Sequence, residues 1–242
     1  MRKLVAIHQP NFLPWLGFFD KLARADVLVL LDDVQFPRTS KGTWINRVKM
    51  LVSGKSAWIT VPIVRAAGSE QPINEVLIDD AQPWRRKALR TIEHNYRRSP
   101  FFEETFALVE ELLSGGERIA ELNERNLRTV ARSIGLDEGK LVRSSELDAS
   151  GQSTDLLISL TRAVGGTAYM PGGDAHRYQE DGKFAEHGLE LLPQDFVHPT
   201  YEQSVSPFES GLSIVDALMS CGFEGTAELV AIARRSRAAS PS

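Results

Sequence analysis

The chain has one cysteine, Cys221, in 242 residues, so an intramolecular disulfide and any CxxC zinc or redox pair are excluded. Histidine is scarce as well. His8, His94, His176, His187 and His198 show no HxH, HxxxH or HExxH spacing, which removes the ordinary zinc signatures. Only a metal site assembled in space, from His8, Asp33 and His176, stays open. No apolar run approaches the roughly 20 residues that a membrane-spanning helix needs. Met1-Arg2-Lys3 opens like a secretory leader, but the apolar run Leu4–Ile7 meets His8-Gln9-Pro10 at once. A strand is expected there in place of a leader, with the cytoplasm as compartment. Excess positive charge is missing too. A formal net charge of −4 gives no global field toward duplex nucleic acid or an anionic membrane.

What is present is ordinary globular material, 42% hydrophobic and 25% charged, enough to bury a sizeable core. The N-terminal stretch organises it. Leu4–Ile7 reads as a buried strand, His8–Gly17 as a turn studded with polar groups, Phe18–Arg24 as an amphipathic helix, and Val27–Leu31 as a second buried strand ending at Asp32-Asp33. That is a βαβ unit, and ligands bind beyond the carboxyl ends of such parallel strands. His8 and the Asp32/Asp33 pair fall at those ends. A histidine near a carboxylate there suits proton transfer, with His8, Asp32 and Asp33 in catalytic roles. The bland alternatives are a hydrogen-bonding histidine and a turn or helix cap made by the two aspartates. Density favours function at His8, because His8, Gln9 and Asn11 are squeezed between two prolines that stiffen the turn.

The run from Ile7 to Phe36 (IHQPNFLPWLGFFDKLARADVLVLLDDVQF), with WINRVK from Trp44, WITVPI from Trp58, and HPTYEQ from His198 followed by FESGLSIVDALMSCG from Phe208, resembles the bacterial WbqC-like family from about Lys3 to Gly222. The family takes its name from a gene of O-antigen clusters, and similar proteins occur beside amino-sugar and natural-product pathways. The resemblance therefore implies modification of an amino group on a sugar or metabolite by acyl or aminoacyl transfer. It also singles out Arg47, which falls in the family's Asn-Arg motif.

Beyond Asp33, Gln35 precedes a polar, basic stretch in which Arg38, Lys41, Arg47 and Lys49 place four cations in succession. This is either a solvated loop or a mobile arm clamping an anionic substrate, with Arg47 as a fork, Lys41 as a point charge and Asn46 beside them. Ala57–Val61 is expected as a third strand stopped by Pro62, and Val76–Ile78 as a short edge strand. Helices are expected over Trp84–Tyr96, Phe101–Leu113 and Ile119–Ile134. They form an all-helical subdomain of about 83–135 inserted into one α/β domain spanning 1–235. The cluster Arg85, Arg86, Lys87, Arg90, Arg97 and Arg98 is offset by Glu103, Glu104, Glu110 and Glu111 and reads as a solvated surface or a face for an acidic carrier protein.

Alternation resumes with a strand at Lys140–Arg143, a helix at Leu156–Val164 and a strand at Thr167–Met170. Pro171-Gly172-Gly173-Asp174 follows at the same ligand edge, where glycines let backbone approach a phosphate or carboxylate. His176 and Tyr178 add acid–base capacity, but the glycine spacing matches no dinucleotide fingerprint or P-loop. Lys183–His187 reads as a helix and Leu189–Leu192 as a strand. An irregular stretch, Phe196–Phe208, then carries His198, Tyr201 and Gln203; such segments are often functional. A helix over Leu212–Leu218 leaves Cys221 beyond its end as buried structure, and 236–242 is expected to be a disordered tail.

The expected fold is α/β, a mostly parallel sheet with flanking helices and a helical insertion. Three functions fit. The first is an amide-forming transferase in surface-polysaccharide or natural-product biosynthesis, with His8 as base oriented by Asp32 or Asp33. Its substrate groups would be Gln9, Asn11, Gln35, Lys41, Asn46, Arg47, Gly172, Gly173, His176, Tyr201 and Gln203. Its partners would be a small acceptor amine and a donor carried on coenzyme A, a carrier protein or tRNA; no cofactor is named. The second is an HxGH-like nucleotidyltransferase or ATP-dependent ligase, although His8-Gln9-Pro10-Asn11 lacks the second histidine of that motif. The third is a non-catalytic binding or scaffold protein.

Overall fold

A computed structural model describes residues 1–38, 42–64, 70–172 and 180–235. β1 (Leu4–His8) lies at the centre of a five-stranded parallel sheet, between β2 (Val27–Leu30) and β8 (Ala168–Met170). β7 (Leu141–Arg143) and β9 (Glu190–Leu191) form the edges. Val5 pairs with Val27, and Leu4 with Ala168. The alternation of side chains along a strand divides β1 between two cores. Val5 and Ile7 join Val29, Tyr169 and Phe184 on one face, while Ala6 joins Leu28, Leu30 and Met170 on the other. Both faces are covered, as parallel sheets require, and the strands read as unbroken apolar runs for that reason.

Spatial order β7-β2-β1-β8-β9 means that the chain first builds outward from β1 and then crosses back to its other side. The reversal falls between β1 and β8, a topological switch point, and opens a crevice at their carboxyl ends.

α1 (Leu16–Arg24) packs Leu16, Phe18, Phe19 and Leu22 into the core. Arg24 anchors it with a fork: Nε donates to Asp20 at 2.8 Å, Nη1 to the Gln194 carbonyl at 3.1 Å and Nη2 to that of Ala233 at 2.9 Å. The basic stretch after β2 is not all arm. Arg47 and Lys49 lie in β3 (Arg47–Val52), paired antiparallel with β4 (Lys55–Thr60) through a Ser53-Gly54 turn. Positive φ at both turn residues (51° and 73°) suits a tight hairpin. The strand expected at Ala57–Val61 therefore starts earlier and belongs to this hairpin, outside the parallel sheet. β5 (Ile63–Val64) and β6 (Leu77–Ile78) make a second short antiparallel pair.

α2 (Trp84–Tyr96), α3 (Phe102–Leu112) and α4 (Ile119–Ser133) fall where the helical periodicity puts them. Their buried Trp84, Ile92, Val109, Leu122 and Leu127 join the same apolar cluster as α1. α5 (Ser153–Ala163) and α6 (Asp181–Glu186) cover the opposite sheet face, where Ile158, Leu160 and Phe184 pack against Val5 and Ile7. α7 (Ile214–Arg235) runs well beyond the short helix expected to end near Leu218, with a break at Gly222 (φ 69°, ψ −174°). A Cβ there would lie 2.7 Å from the Phe101 ring, so the helix turns where only glycine fits. The expected tail 236–242 lies outside the described residues, as do Lys41, Gly173, Asp174, His176 and Tyr178.

Candidate functional site

His8 is the last residue of β1, and the turn after it is pinned on several sides. The His8 carbonyl accepts the Leu31 N–H at 2.9 Å, the Pro10 carbonyl accepts Asn123 Nδ2 at 2.8 Å, and Phe12 N–H reaches the Trp44 carbonyl at 2.9 Å. The ring stands edge-on to Phe18, with centroids 5.2 Å apart, and its Nδ1 lies 2.8 Å from the Gln9 carbonyl oxygen. A carbonyl only accepts, so Nδ1 carries the proton and Nε2 presents a lone pair. Burial, then the nearby charge of Lys21, lower the pKa of His8 from 6.5 to about 4, against the Gln9 carbonyl. At neutral pH the imidazole is uncharged.

Lys21 is the buried cation near His8 that sequence reasoning missed. It is 2% exposed on α1, and burial drops its pKa from 10.5 to about 8 despite the pull of Asp20. Asp20 itself is bonded to Arg24 and, at 2.9 Å, to Gln194 Nε2. A Cβ built on Gly172 would lie 3.5 Å from Lys21 Nζ. The signal was present: a lysine three residues after Phe18 and next to Leu22 sits on the apolar stripe of the helix.

His8 and Gly172 line one cavity of about 930 Å³ at the switch point. Gln9 and Asn11 line it as well, with Trp15, Trp44 and Lys49 as aromatic and cationic wall and Ser210-Gly211 as rim. Trp44 is 42% exposed and meets Trp58 edge-on at 4.9 Å. The Arg47 guanidinium lies over Trp58, 3.9 Å from its centre, with Lys49 at 5.6 Å. Trp15 contacts Phe196 and stacks on His198, which brings the irregular segment against the cavity.

The other predicted groups lie elsewhere. Asp32 and Asp33 continue β2 past Leu30, the register partner of His8, and are captured by the turn after β7. Asp32 accepts from Ser144 Oγ at 3.0 Å, Ser145 N at 3.0 Å and Ser145 Oγ at 2.8 Å, and Ser144 Oγ also contacts Asp33. Asp32 lines a separate polar cavity of about 400 Å³ with Glu124, Arg118 and Arg143. The expected orientation of His8 by these carboxylates is thus replaced by the Gln9 carbonyl, because the serines of a distant turn occupy them. Asn46 is used structurally, accepting Thr43 N–H at 2.9 Å and donating to the Val61 carbonyl at 3.0 Å. Gln35 is exposed, in a bridge to Pro72.

Tyr201 and Gln203 hold the irregular segment to α7. The Tyr201 hydroxyl donates to Asp216 Oδ2 at 2.7 Å, and Gln203 Nε2 donates to the same oxygen at 2.9 Å. Burial pushes the Asp216 carboxyl up, against the hydrogen bonds it receives from Tyr201, Tyr96 and Gln203. Burial, then the charge of Asp216, also raise the Cys221 thiol, which keeps it protonated.

Among the described residues, no group of three or more His, Cys, Asp or Glu is arranged to hold a metal, and no helix is long and apolar enough to cross a membrane.

A model of the WbqC-like protein family matches residues 9–228. The uncharacterized protein Rv1507c of Mycobacterium tuberculosis is 30% identical over 225 residues, covering 92% of this chain and 95% of its own. No solved structure matches the chain.

Proposed function

We propose that this chain, which belongs to the WbqC-like protein family, is a biosynthetic transferase that forms an amide by moving an acyl or aminoacyl group from an activated donor to the amine of a sugar or other metabolite. The observation carrying this reading is the neutral His8, whose Nδ1–H is fixed by the Gln9 carbonyl and whose Nε2 is left as a base in a cavity large enough for two substrates. In the step, the acceptor enters as the free amine and its nitrogen attacks the donor carbonyl carbon. Nε2 takes the proton that the nitrogen, made acidic by the new C–N bond, gives up; the bond to the leaving group breaks, and the leaving group departs with its electron pair and receives that proton. Trp15 and Trp44 offer faces on which a sugar or base stacks. Gln9 and Asn11 supply hydrogen bonds at the acceptor. The donor is carried on coenzyme A, a carrier protein or tRNA.

A second reading, nucleotidyl transfer or ATP-dependent ligation, draws on the strand order, whose switch point is where nucleotides bind in doubly wound sheets. One experiment separates the readings. Wild type and His8→Ala are incubated with acyl-coenzyme A or ATP, CTP and an amino sugar, products are followed by mass spectrometry, and binding is followed by thermal shift. An amide product whose rate falls in His8→Ala while the donor-induced shift persists supports the transferase. Pyrophosphate release moves the assignment to nucleotidyl transfer. Equal rates in both proteins sink the role of His8, and binding without any product leaves a scaffold.

A further inference from the structure

β4 is bonded along one edge only. Just beyond the hairpin, Val61 N–H donates to the Asn46 carbonyl at 2.8 Å, and facing residues of an antiparallel pair alternate between bonded and non-bonded. Lys55, Ala57 and Ile59 therefore bond to β3, while Ser56, Trp58 and Thr60 turn their backbone N–H and C=O groups away from it. On β3 the corresponding outward groups are occupied. The Lys49 carbonyl accepts Ser213 N–H at 2.9 Å, and Leu51 N–H donates to the Tyr96 hydroxyl at 3.0 Å. On β4 no third strand joins the pair, and no hydrogen bond among the described residues reaches the backbone of Ser56, Trp58 or Thr60. Trp58 and Thr60 are exposed and Ser56 is half-buried. An open edge of this kind is a template for one more strand.

A groove of about 460 Å³ lies alongside it, between Ala57–Thr60 and the stripe of α2 that carries Trp84, Lys87, Ala88 and Thr91. Ala57, Ile59, Trp84 and Ala88 give it apolar walls, which the alternate side chains of an added strand need. Its charge has one sign. Lys87 is the one ionisable group among the described lining residues. Lys55 stands exposed at the start of β4, and Arg86 and Arg90 are exposed on α2. Asp80, before α2, is engaged by Trp84 and Arg85. Glu93, the one carboxylate of α2, falls two residues from Thr91 and so on another face. Two copies of this chain joined at this edge would bring two sets of these cations together. A strand bearing carboxylates would meet them with opposite charge.

We propose that the free edge of β4 takes up an extended, acidic segment of a partner protein as a third strand, seated in the groove against α2. Main-chain bonds to Ser56, Trp58 and Thr60 supply the pairing, and Lys55 and Lys87 select for carboxylates. Trp58 meets Trp44, which lines the His8 cavity, so a docked partner stands beside that cavity. The proposal does not depend on the transferase reading.

The test is fluorescence anisotropy of the full chain with labelled ten-residue peptides that alternate Glu with Val, Ile, Leu or Phe. Each is set beside a counterpart with Lys in place of Glu. Acidic peptides are expected to bind, more weakly as salt rises, and to protect the amides of Ser56, Trp58 and Thr60 from hydrogen exchange read by NMR. Thr60→Pro removes one outward N–H and leaves the bonds to β3 in place, so binding should weaken about 10-fold. Lys87→Glu should weaken it by about 5- to 10-fold, and it carries the test if Thr60→Pro disturbs the hairpin. Failure of every acidic peptide to bind, equal binding of the Lys counterparts, unchanged affinity in both variants, or protection that spares the β4 amides would overturn the proposal. A dimer in light scattering that Thr60→Pro abolishes would overturn it too, and give the edge to a second copy.

Discussion

After burial, the charge of Lys21 is what holds the imidazole of His8 toward the neutral form, although the two residues stand on different elements. Among the described residues, no carboxylate takes part in that balance. The NMR titration of His8 should therefore be unmoved by Asp33→Asn and shift upward from about 4 in Lys21→Met. A downward shift in Asp33→Asn would restore the carboxylate as its partner.

The same imidazole makes stability depend on acid. Its folded pKa, about 4, lies below the unfolded 6.5. The unfolded chain therefore takes up the proton first, and stability falls as pH drops from about 6.5 to about 4. The full span is of order 2–3 kcal/mol. Urea unfolding of wild type and His8→Gln at pH 7 and pH 4.5 should show a smaller acid loss in the variant. Parallel losses would mean that His8 is not buried as a neutral ring.

Lys21 titrates in the opposite range. With a folded pKa of about 8 against 10.5, the protonated amine weighs against the folded state below pH 8, and the penalty fades between about 8 and 10.5. In the ligand-free protein, Lys21→Met should be more stable than wild type at pH 7, by about 2–3 kcal/mol. The gain should vanish by about pH 10.5, as measured by denaturant midpoints across that range. A destabilised variant at pH 7 would mean that the amine has an acceptor within the fold.

Tyr96 links three elements. Its hydroxyl donates to Asp216 Oδ1 at 2.8 Å and accepts Leu51 N–H at 3.0 Å. Tyr96→Phe strands both partners in a buried place, which costs about 1–3 kcal/mol. A double-mutant cycle with Asp216→Asn should reveal coupling, and additive losses would show that the two do not act together.

At Gly222, positive φ and the Phe101 ring both forbid a side chain. Gly222→Ala should cost about 2–4 kcal/mol, combining backbone strain with overpacking. A loss below about 1 kcal/mol in thermal unfolding would mean that the bend relaxes.

The β1–α1–β2 unit was legible because its local signals agree: unbroken apolar runs, proline-bounded turns and a helical stripe in succession. β3 was obscured by Arg47 and Lys49. In Arg47–Val52, Val48 and Met50 are buried while the two cations lie over Trp58; that period of two was present, but the charges suggested a clamp. His8, Gln9, Asn11 and Gly172 were placed at one edge by strand ends alone and meet in one cavity. Asp32 and Asp33 also follow a strand end, yet the serines that hold them come from the turn after β7, which no local pattern pairs with β2. The second half of α7 was lost because the end of a helix and a bend within it both read as glycine.

The sheet order also governs how the chain emerges during synthesis. β1 finds β2 almost at once, but its other edge stays open until β8 is made, after four intervening helices, α2 to α5. Over that interval a central strand exposes unpaired backbone to any neighbouring nascent chain. The His8 pocket, whose floor at Gly172 and rim at Ser210-Gly211 come later still, stands half-walled until translation has nearly run its course.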